Sequence, residues 1–275
     1  MLFRSNILEE IVAHKRKEVE ERKALYPVKL LEKSLYFPST PVSLRGYLRR
    51  PDRLGVIAEI KRRSPSKGDI NKHISVEELS IGYMQAGASA LSVLTDTKYF
   101  GGKLEDLTTA RRFNFCPILR KDFVIDEYQV LEAKSAGADA VLLIAAALRP
   151  DEVRSLGALA RSLGLEVLLE VHSEEELRRY ECPEASLIGV NNRDLSTFTV
   201  DVSTSERIAP LISGEFGKVT ESGISDAATI LRLKAAGFEG FLIGEAFMRH
   251  SKPEAACKRL IEQVRQQQND AGQAA

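Results

Sequence analysis

The sequence predicts an α/β fold, a (β/α)8 TIM barrel with an N-terminal helical extension. From residue 55 onward, short apolar runs alternate regularly with helix-length amphipathic segments, the pattern of a parallel sheet covered by helices. One turn is also written three times. Gln85-Ala-Gly-Ala-Ser-Ala-Leu-Ser-Val, Ser135-Ala-Gly-Ala-Asp-Ala-Val-Leu-Leu and Ala235-Ala-Gly-Phe-Glu-Gly-Phe-Leu-Ile each run a helix into glycine and then into an apolar strand. Finally, charged and polar residues collect at the C-terminal ends of the runs, where a barrel places its site.

In chain order, residues 1–47 stand outside the alternation. Ile7, Leu8, Ile11, Val12 and Val19 recur at helical spacing among Glu, Lys and Arg, so an amphipathic helix is expected to pack on the domain behind it. Pro27, Pro38 and Pro41 then break the chain around Leu30-Leu-Glu-Lys-Ser-Leu35. Strands are expected at Val56–Lys61, Ala90–Thr95, Pro117–Phe123, Ala140–Ala145, Glu166–Val171, Leu187–Asn191, Lys218–Ser222 and Gly240–Gly244. Between them lie helical segments such as Val76–Ala86, Glu127–Ala136 and Ala227–Ala236. The stretch from the first strand to the end is about 220 residues, the usual size of such a barrel. A doubly wound open sheet would use fewer strands and a GxGxxG switch-point loop, which the sequence lacks. The chain therefore reads as one domain, an extension at 1–47 and a barrel at 48–275.

Composition narrows the function. The 44% hydrophobic and 28% charged residues are those of a globular protein. Lys plus Arg (39) balances Asp plus Glu (39), so no global field argues for nucleic acid or membrane. The N-terminus lacks a signal-peptide core, and no run approaches the roughly 18 apolar residues of a membrane span. Cys116, Cys182 and Cys257 have no CxxC spacing and fit a reduced, cytoplasmic protein, with Cys116 a small core residue rather than a nucleophile. The four histidines have no metal-ligand spacing, so no metal is expected.

The first strand carries Glu59 and Lys61 two residues apart, hence on one face of the sheet near its end. Unpaired buried charges cost several kcal/mol, so such residues imply a partner or a ligand. The loop Ser64-Pro-Ser-Lys-Gly68 then reads as the rim of a site. The third run ends with Lys121, the fifth places Glu170 and His172 on one face, the sixth places Asn191 and Arg193, and the seventh ends in Glu221. This mixture suits acid–base chemistry on an anionic substrate, with His172 left at the rim. Glu221-Ser-Gly-Ile-Ser-Asp226 and Leu242-Ile-Gly-Glu-Ala-Phe247 supply glycines where backbone approaches a ligand. A phosphate is expected there, on Ser222, Gly223, Gly244 and Glu245, assisted by Lys61.

Val56-Ile-Ala-Glu-Ile-Lys-Arg-Arg-Ser-Pro-Ser-Lys-Gly68 closely resembles the first-strand motif of the indole-3-glycerol phosphate synthase family. Ser92-Val-Leu-Thr-Asp-Thr-Lys-Tyr-Phe-Gly-Gly102, Pro117-Ile-Leu-Arg-Lys-Asp-Phe123, Gly189-Val-Asn-Asn-Arg-Asp-Leu195 and Thr220-Glu-Ser-Gly-Ile224 resemble further motifs of that family in the same order. The resemblance implies a barrel whose N-terminal helical extension helps cover the site. It implies ring closure of 1-(2-carboxyphenylamino)-1-deoxyribulose 5-phosphate with loss of carbon dioxide and water, in tryptophan biosynthesis, without cofactor or metal. Carried onto matching positions, it makes Lys121 the general acid and Glu170 the acid/base partner in dehydration. Glu59 with Lys61 would orient substrate and tune Lys121. Asn191 and Glu221 would bind hydroxyls, supported by Arg193. Ser64 and Phe100 would line the aromatic end with Phe123 stacking near it, and Leu195 would also contact substrate. Whether cations lower the Lys121 pKa or a carboxylate restores it is open at this level, and so is whether Lys121 or Lys61 donates at each step. The phosphate motif often has Ser where this chain has Glu245, whose side chain is expected to point outward and leave only its N–H to the site.

The sole partner expected is a phosphorylated small molecule, with the chain a monomer or weak homo-oligomer and no isomerase domain fused after the barrel. Phosphoribosyl isomerases are the nearest alternative, but they rely on an Asp or Cys pair where these strand ends carry Lys and Glu. A Schiff-base aldolase using Lys121 would be trapped by borohydride. A binding scaffold without activity has no reason to keep Glu59, Lys61, Lys121, Glu170 and Glu221 together.

Overall fold

The computed structural model describes residues 7–195 and 197–273. Residues 1–6 of the expected extension and 274–275 of the expected barrel lie outside them. Eight strands form a closed, all-parallel barrel: β1 (Val56–Ile60), β2 (Ala90–Leu94), β3 (Ile118–Lys121), β4 (Ala140–Ile144), β5 (Glu166–Val171), β6 (Leu187–Asn191), β7 (Gly217–Glu221) and β8 (Gly240–Ile243). Each pairs with its sequence neighbours, and β1 closes the ring by pairing Val56 with Phe241 of β8. β1, β2 and β4 are buried throughout, as expected when a sheet is covered on both faces.

Before the barrel come α1 (Ile7–Leu25), α2 (Val28–Leu31) and α3 (Leu44–Leu48). The barrel helices are α4 (Val76–Gln85), α5 (Leu104–Phe113), α6 (Glu127–Ala136), α7 (Pro150–Ser162), α8 (Glu174–Tyr180), α9 (Ser203–Ile208) and α10 (Ala227–Ala235). After β8 follow the short α11 (Glu245–Met248) and the long α12 (Pro253–Gln273). Local chemistry explains the helix starts. Ser75, Asp126, Ser173 and Asp226 each accept an N–H bond from the first turn of the helix they precede. The repeated turn is one geometry used three times: Gly87, Gly137 and Gly237 have φ of 101°, 91° and 96°, a left-handed conformation open to glycine without steric cost.

The structure departs from the sequence reading at element ends. The third and seventh ladders stop at Lys121 and Glu221, before the expected Phe123 and Ser222, because the ladder ends where the side chains turn to the site. The 64–68 loop is a small antiparallel hairpin, Arg63–Ser64 against Gly68–Asp69. The expected boundary at 47/48 falls inside α3.

Apolar packing forms two main layers, with a small third cluster of Val19, Leu31 and Tyr128 where α1 and α2 meet α6. The larger lies between strands and helices. The smaller fills the barrel interior with Ile57, Leu119, Leu168, Leu187 and Val219, and Leu44 and Leu48 of α3 belong to it. α3 therefore stops the end of the barrel opposite the site. It is pinned there by Glu166, which accepts from the Ser43 hydroxyl at 2.6 Å and the Arg45 N–H at 2.8 Å. Leu44→Ala should cost about 2–5 kcal/mol through the cavity it leaves, seen as a lower denaturant midpoint with kcat unchanged.

Candidate active site

At the C-terminal mouth, alternate strands β1, β3, β5 and β7 direct Glu59, Lys121, Glu170 and Glu221 inward. A barrel interior is built in such layers from alternate strands, usually of branched apolar residues; here the top layer is charged. Lys121 Nζ lies 2.8 Å from Glu170 Oε2 and 2.5 Å from Glu221 Oε2. Asn191 Nδ2 donates to Glu170 Oε1 at 3.0 Å, and its Oδ1 accepts the Arg193 N–H at 3.0 Å. Glu59 Oε1 holds Lys61 Nζ at 2.7 Å.

Two glycines make room for this layer. A Cβ on Gly189 would lie 2.6 Å from Glu221 Oε1, and one on Gly244 would collide with the Glu59 carboxylate. Neither glycine has a left-handed backbone, so their need is space alone.

Burial disfavours the charged forms of Lys121, Glu170 and Glu221, and the neighbouring charges decide the outcome. For Lys121 burial works toward neutrality, but Glu170, Glu221 and Glu59 outweigh it and hold the amine as ammonium well above its ordinary range. This resolves what the sequence left open: the nearest neighbours of Lys121 are carboxylates. Burial pushes Glu170 up, but Lys121 and then His172 bring it down to about 2. Burial pushes Glu221 up and Lys121 pulls it down; with Glu170 already negative nearby, it comes to about 7. One ammonium thus stands between a fixed carboxylate and one that changes charge near neutrality. His172 stands beside them, Nε2 3.4 Å from Glu170 Oε1 and Nδ1 3.4 Å from Glu176. Cys116 has no such role, since burial pushes its thiol to about 12.

The cavity above measures about 520 Å³ and is lined by every residue expected at the site, from Glu59, Lys61 and Ser64 through Phe100, Phe123 and Leu195 to Ser222, Gly223, Gly244 and Glu245. Phe100 and Phe123 face each other with ring centroids 6.0 Å apart at 39°. On the opposite side, Ser222 and Gly223 have φ of 69° and 79°. A serine there carries strain of about 1–3 kcal/mol, of the kind found at ligand-binding turns. Glu245 departs from expectation. Its side chain reaches across the mouth to Arg193 Nη2 at 3.4 Å and Lys67 Nζ at 3.8 Å, two cations that offset its charge.

The cavity also has walls that sequence reasoning did not assign to it. Ile7, Leu8 and Ile11 of α1 line it, as do Leu142, Ile144 and Arg249. The apolar stripe on α1 was legible as a packing face; that part of it faces ligand space was not. Arg120, adjacent to Lys121 and pointing the other way, was also missed. It is buried against Glu132 at 2.7 Å and Asp122 at 3.1 Å, and Glu132 also pairs with Arg22 of α1.

A closed barrel with an ammonium–carboxylate centre, an aromatic pair on one side and glycine turns on the other defines an acid–base enzyme for a small anionic substrate. A family model described as indole-3-glycerol phosphate synthase matches residues 8–260. The chain is 48% identical over 259 residues to the indole-3-glycerol phosphate synthase of Bacteroides thetaiotaomicron, covering 94% of this chain and 99% of that one. It is 44% identical to those of Acidithiobacillus ferrooxidans and Salinibacter ruber, over 94% and 93% of this chain and 99% and 95% of theirs. The chain belongs to the indole-3-glycerol phosphate synthase family. Among solved structures, 3-hexulose-6-phosphate synthase from Salmonella typhimurium matches with a TM-score of 0.61 at 11% identity, over 77% of this chain and 99% of that chain, and shares the fold.

Gly189→Ala should displace the Glu221 carboxylate and lower kcat by about 100-fold, the scale of a misplacement of about 1 Å within a site. Its thermal midpoint should move little, which separates a lost site from a lost fold.

Proposed function

We propose that the chain closes the indole ring of 1-(2-carboxyphenylamino)-1-deoxyribulose 5-phosphate, giving indole-3-glycerol phosphate, carbon dioxide and water. The observation that carries the reading is Lys121, held as an ammonium between Glu170 and Glu221 under a cavity with one aromatic and one backbone-rich end. The substrate has matching ends. Its carboxyphenyl ring is assigned to Phe100, Phe123, Ser64 and Leu195. Its phosphate is assigned to the backbone at Ser222, Gly223, Gly244 and Glu245, with Lys61 offsetting charge.

The chemistry follows from what each group can give. The ring carbon bearing the carboxylate attacks the ketone carbon, and the Lys121 ammonium passes its proton to the carbonyl oxygen as charge develops there. Electrons of the ring–carboxylate bond then restore the aromatic ring as carbon dioxide leaves. The new hydroxyl departs as water after receiving a proton, and the carbon beside nitrogen gives one up. Glu170, in contact with Lys121 and Asn191, is assigned this second exchange. Once Lys121 has given up its proton, the main charge that held Glu170 ionised is gone. Glu170 then takes a proton from solvent, passes it to the hydroxyl and receives the one from carbon. Glu221 and Asn191 hold the sugar hydroxyls, Arg193 braces Asn191, and Glu59 with Lys61 sets the field around Lys121. No described helix is long and apolar enough to cross a membrane.

The chain has no Trp, so product indole emits over a quiet background. Wild-type protein should generate this emission from the substrate, and Lys121→Ala should slow it by about 10³-fold, the scale of a lost general acid. A flat trace from folded wild-type protein would overturn the reading. The pH dependence is also specified. Glu221 is neutral below about pH 7 and anionic above it. The added charge repels an anionic substrate and holds the Lys121 proton more tightly, so kcat/KM should fall as pH rises through that value. Glu221→Gln should flatten that limb.

A further inference from the structure

We infer that Lys15 of α1 is a positioning residue that sets the aromatic end of the cavity. The inference rests on the reading above for the identity of the substrate, but not for the geometry. Lys15 is fully buried, and its ammonium lies 2.9 Å from Asp96 Oδ2 and 3.0 Å from Asp122 Oδ1. Glu18, one turn along α1, pairs with it at 3.0 Å. A buried ammonium with three carboxylates is more than a helix needs to dock, and both long-range partners stand at the mouth of the barrel.

Each partner controls one ring. Asp122 directly follows Lys121; its Oδ1 accepts the Phe123 N–H at 2.8 Å, and its Oδ2 accepts the Thr95 hydroxyl at 2.6 Å. Asp96 begins the turn that carries Phe100. Its Oδ1 accepts the Tyr99 N–H at 2.7 Å, and its carbonyl accepts the Gly102 N–H at 2.8 Å. Lys15 therefore bridges the two turns that hold Phe100 and Phe123 at their 6.0 Å separation. Residues four apart share a helix face, so the ammonium also fixes the rotation of α1 that turns Ile11 and Ile7 into the cavity wall. Without that bridge, the Thr95–Asp122 bond still joins the turns at their base, but the Asp96 carboxylate, which holds the Phe100 turn through Tyr99, loses its tie to Asp122 and to α1. The phosphate end lies across the barrel on β7 and β8 and shares none of these contacts.

The test compares two inhibitors on three proteins. One is the alcohol made by borohydride reduction of the substrate ketone, which carries both ends and cannot close the ring. The other is glycerol 3-phosphate, which carries the phosphate end alone. Lys15→Met removes the bridge but leaves Asp96 with no cation, so it is paired with Lys15→Met/Asp96→Asn. There the amide oxygen can still accept from Tyr99, Asp122 keeps Arg120, and Glu18 can turn to water. In the folded double variant, kcat/KM should fall by about 100-fold. Inhibition by the reduced substrate should weaken by at least tenfold (a loss of about 1.4 kcal/mol), while inhibition by glycerol 3-phosphate stays within about twofold of wild type. Unchanged kinetics and inhibition in the folded double variant would overturn the inference. Equal weakening of both inhibitors would also overturn it, by showing general damage. A wild-type protein without turnover would overturn the proposed reaction and this inference with it.

Discussion

An ammonium enclosed by carboxylates in the top layer of a barrel is the constraint that the rest of this structure serves. Such a group costs several kcal/mol to desolvate and is tolerated only with geometry that returns the loss. Lys121 has that geometry through Glu170 and Glu221, and Asn191 occupies the far oxygen of Glu170. The layer in turn dictates residues that carry no charge: Gly189 and Gly244 are small because carboxylates lie over them. Two residues earlier on the same strands, Ile57, Leu119, Leu168 and Val219 form a dry apolar layer beneath the ion cluster. Charge, space and dryness are thus three requirements of one lysine.

The same strand satisfies a second set of charges on its other face. β3 sends Arg120 outward and Lys121 inward, with Asp122 just past its end, so one short segment joins two ion networks separated only by the thickness of the sheet. The outer network reaches α1 through Glu132–Arg22 and through Lys15. An N-terminal helix that merely shielded the barrel would need an apolar stripe and little else. The one seen here is bolted by buried charge to the strand that presents Lys121.

Much of the barrel was legible because it depends on periodicity. Strand runs such as Val56–Ile60 and the glycine turns at Gly87, Gly137 and Gly237 are local signals. The inward carboxylates were legible for a related reason, since Glu59, Glu170 and Glu221 interrupt apolar runs at one end of the barrel. What could not be read were distances across the chain. Glu221 meets Lys121 100 residues away in sequence, so the sign of the Lys121 shift depends on closure of the barrel. Lys15 looked like one more basic residue on the polar face of a helix. Its place one turn beyond Ile11 was the available sign that it pointed inward, but helical spacing does not name a partner. The course of Glu245 toward Arg193 and Lys67 likewise depends on loops whose approach no local pattern encodes.

The stopper formed by Leu44 and Leu48 has a kinetic meaning. Together with the apolar layer that fills the barrel interior, it shuts the floor beneath the reaction chamber. Carbon dioxide and water formed at the bottom cannot drain through the floor. They must escape upward past the bulkier product, or wait until it leaves. Traffic through that mouth, which the hairpin, α1 and the Glu245 side chain all border, belongs to the turnover cycle as much as the bond-making beneath it.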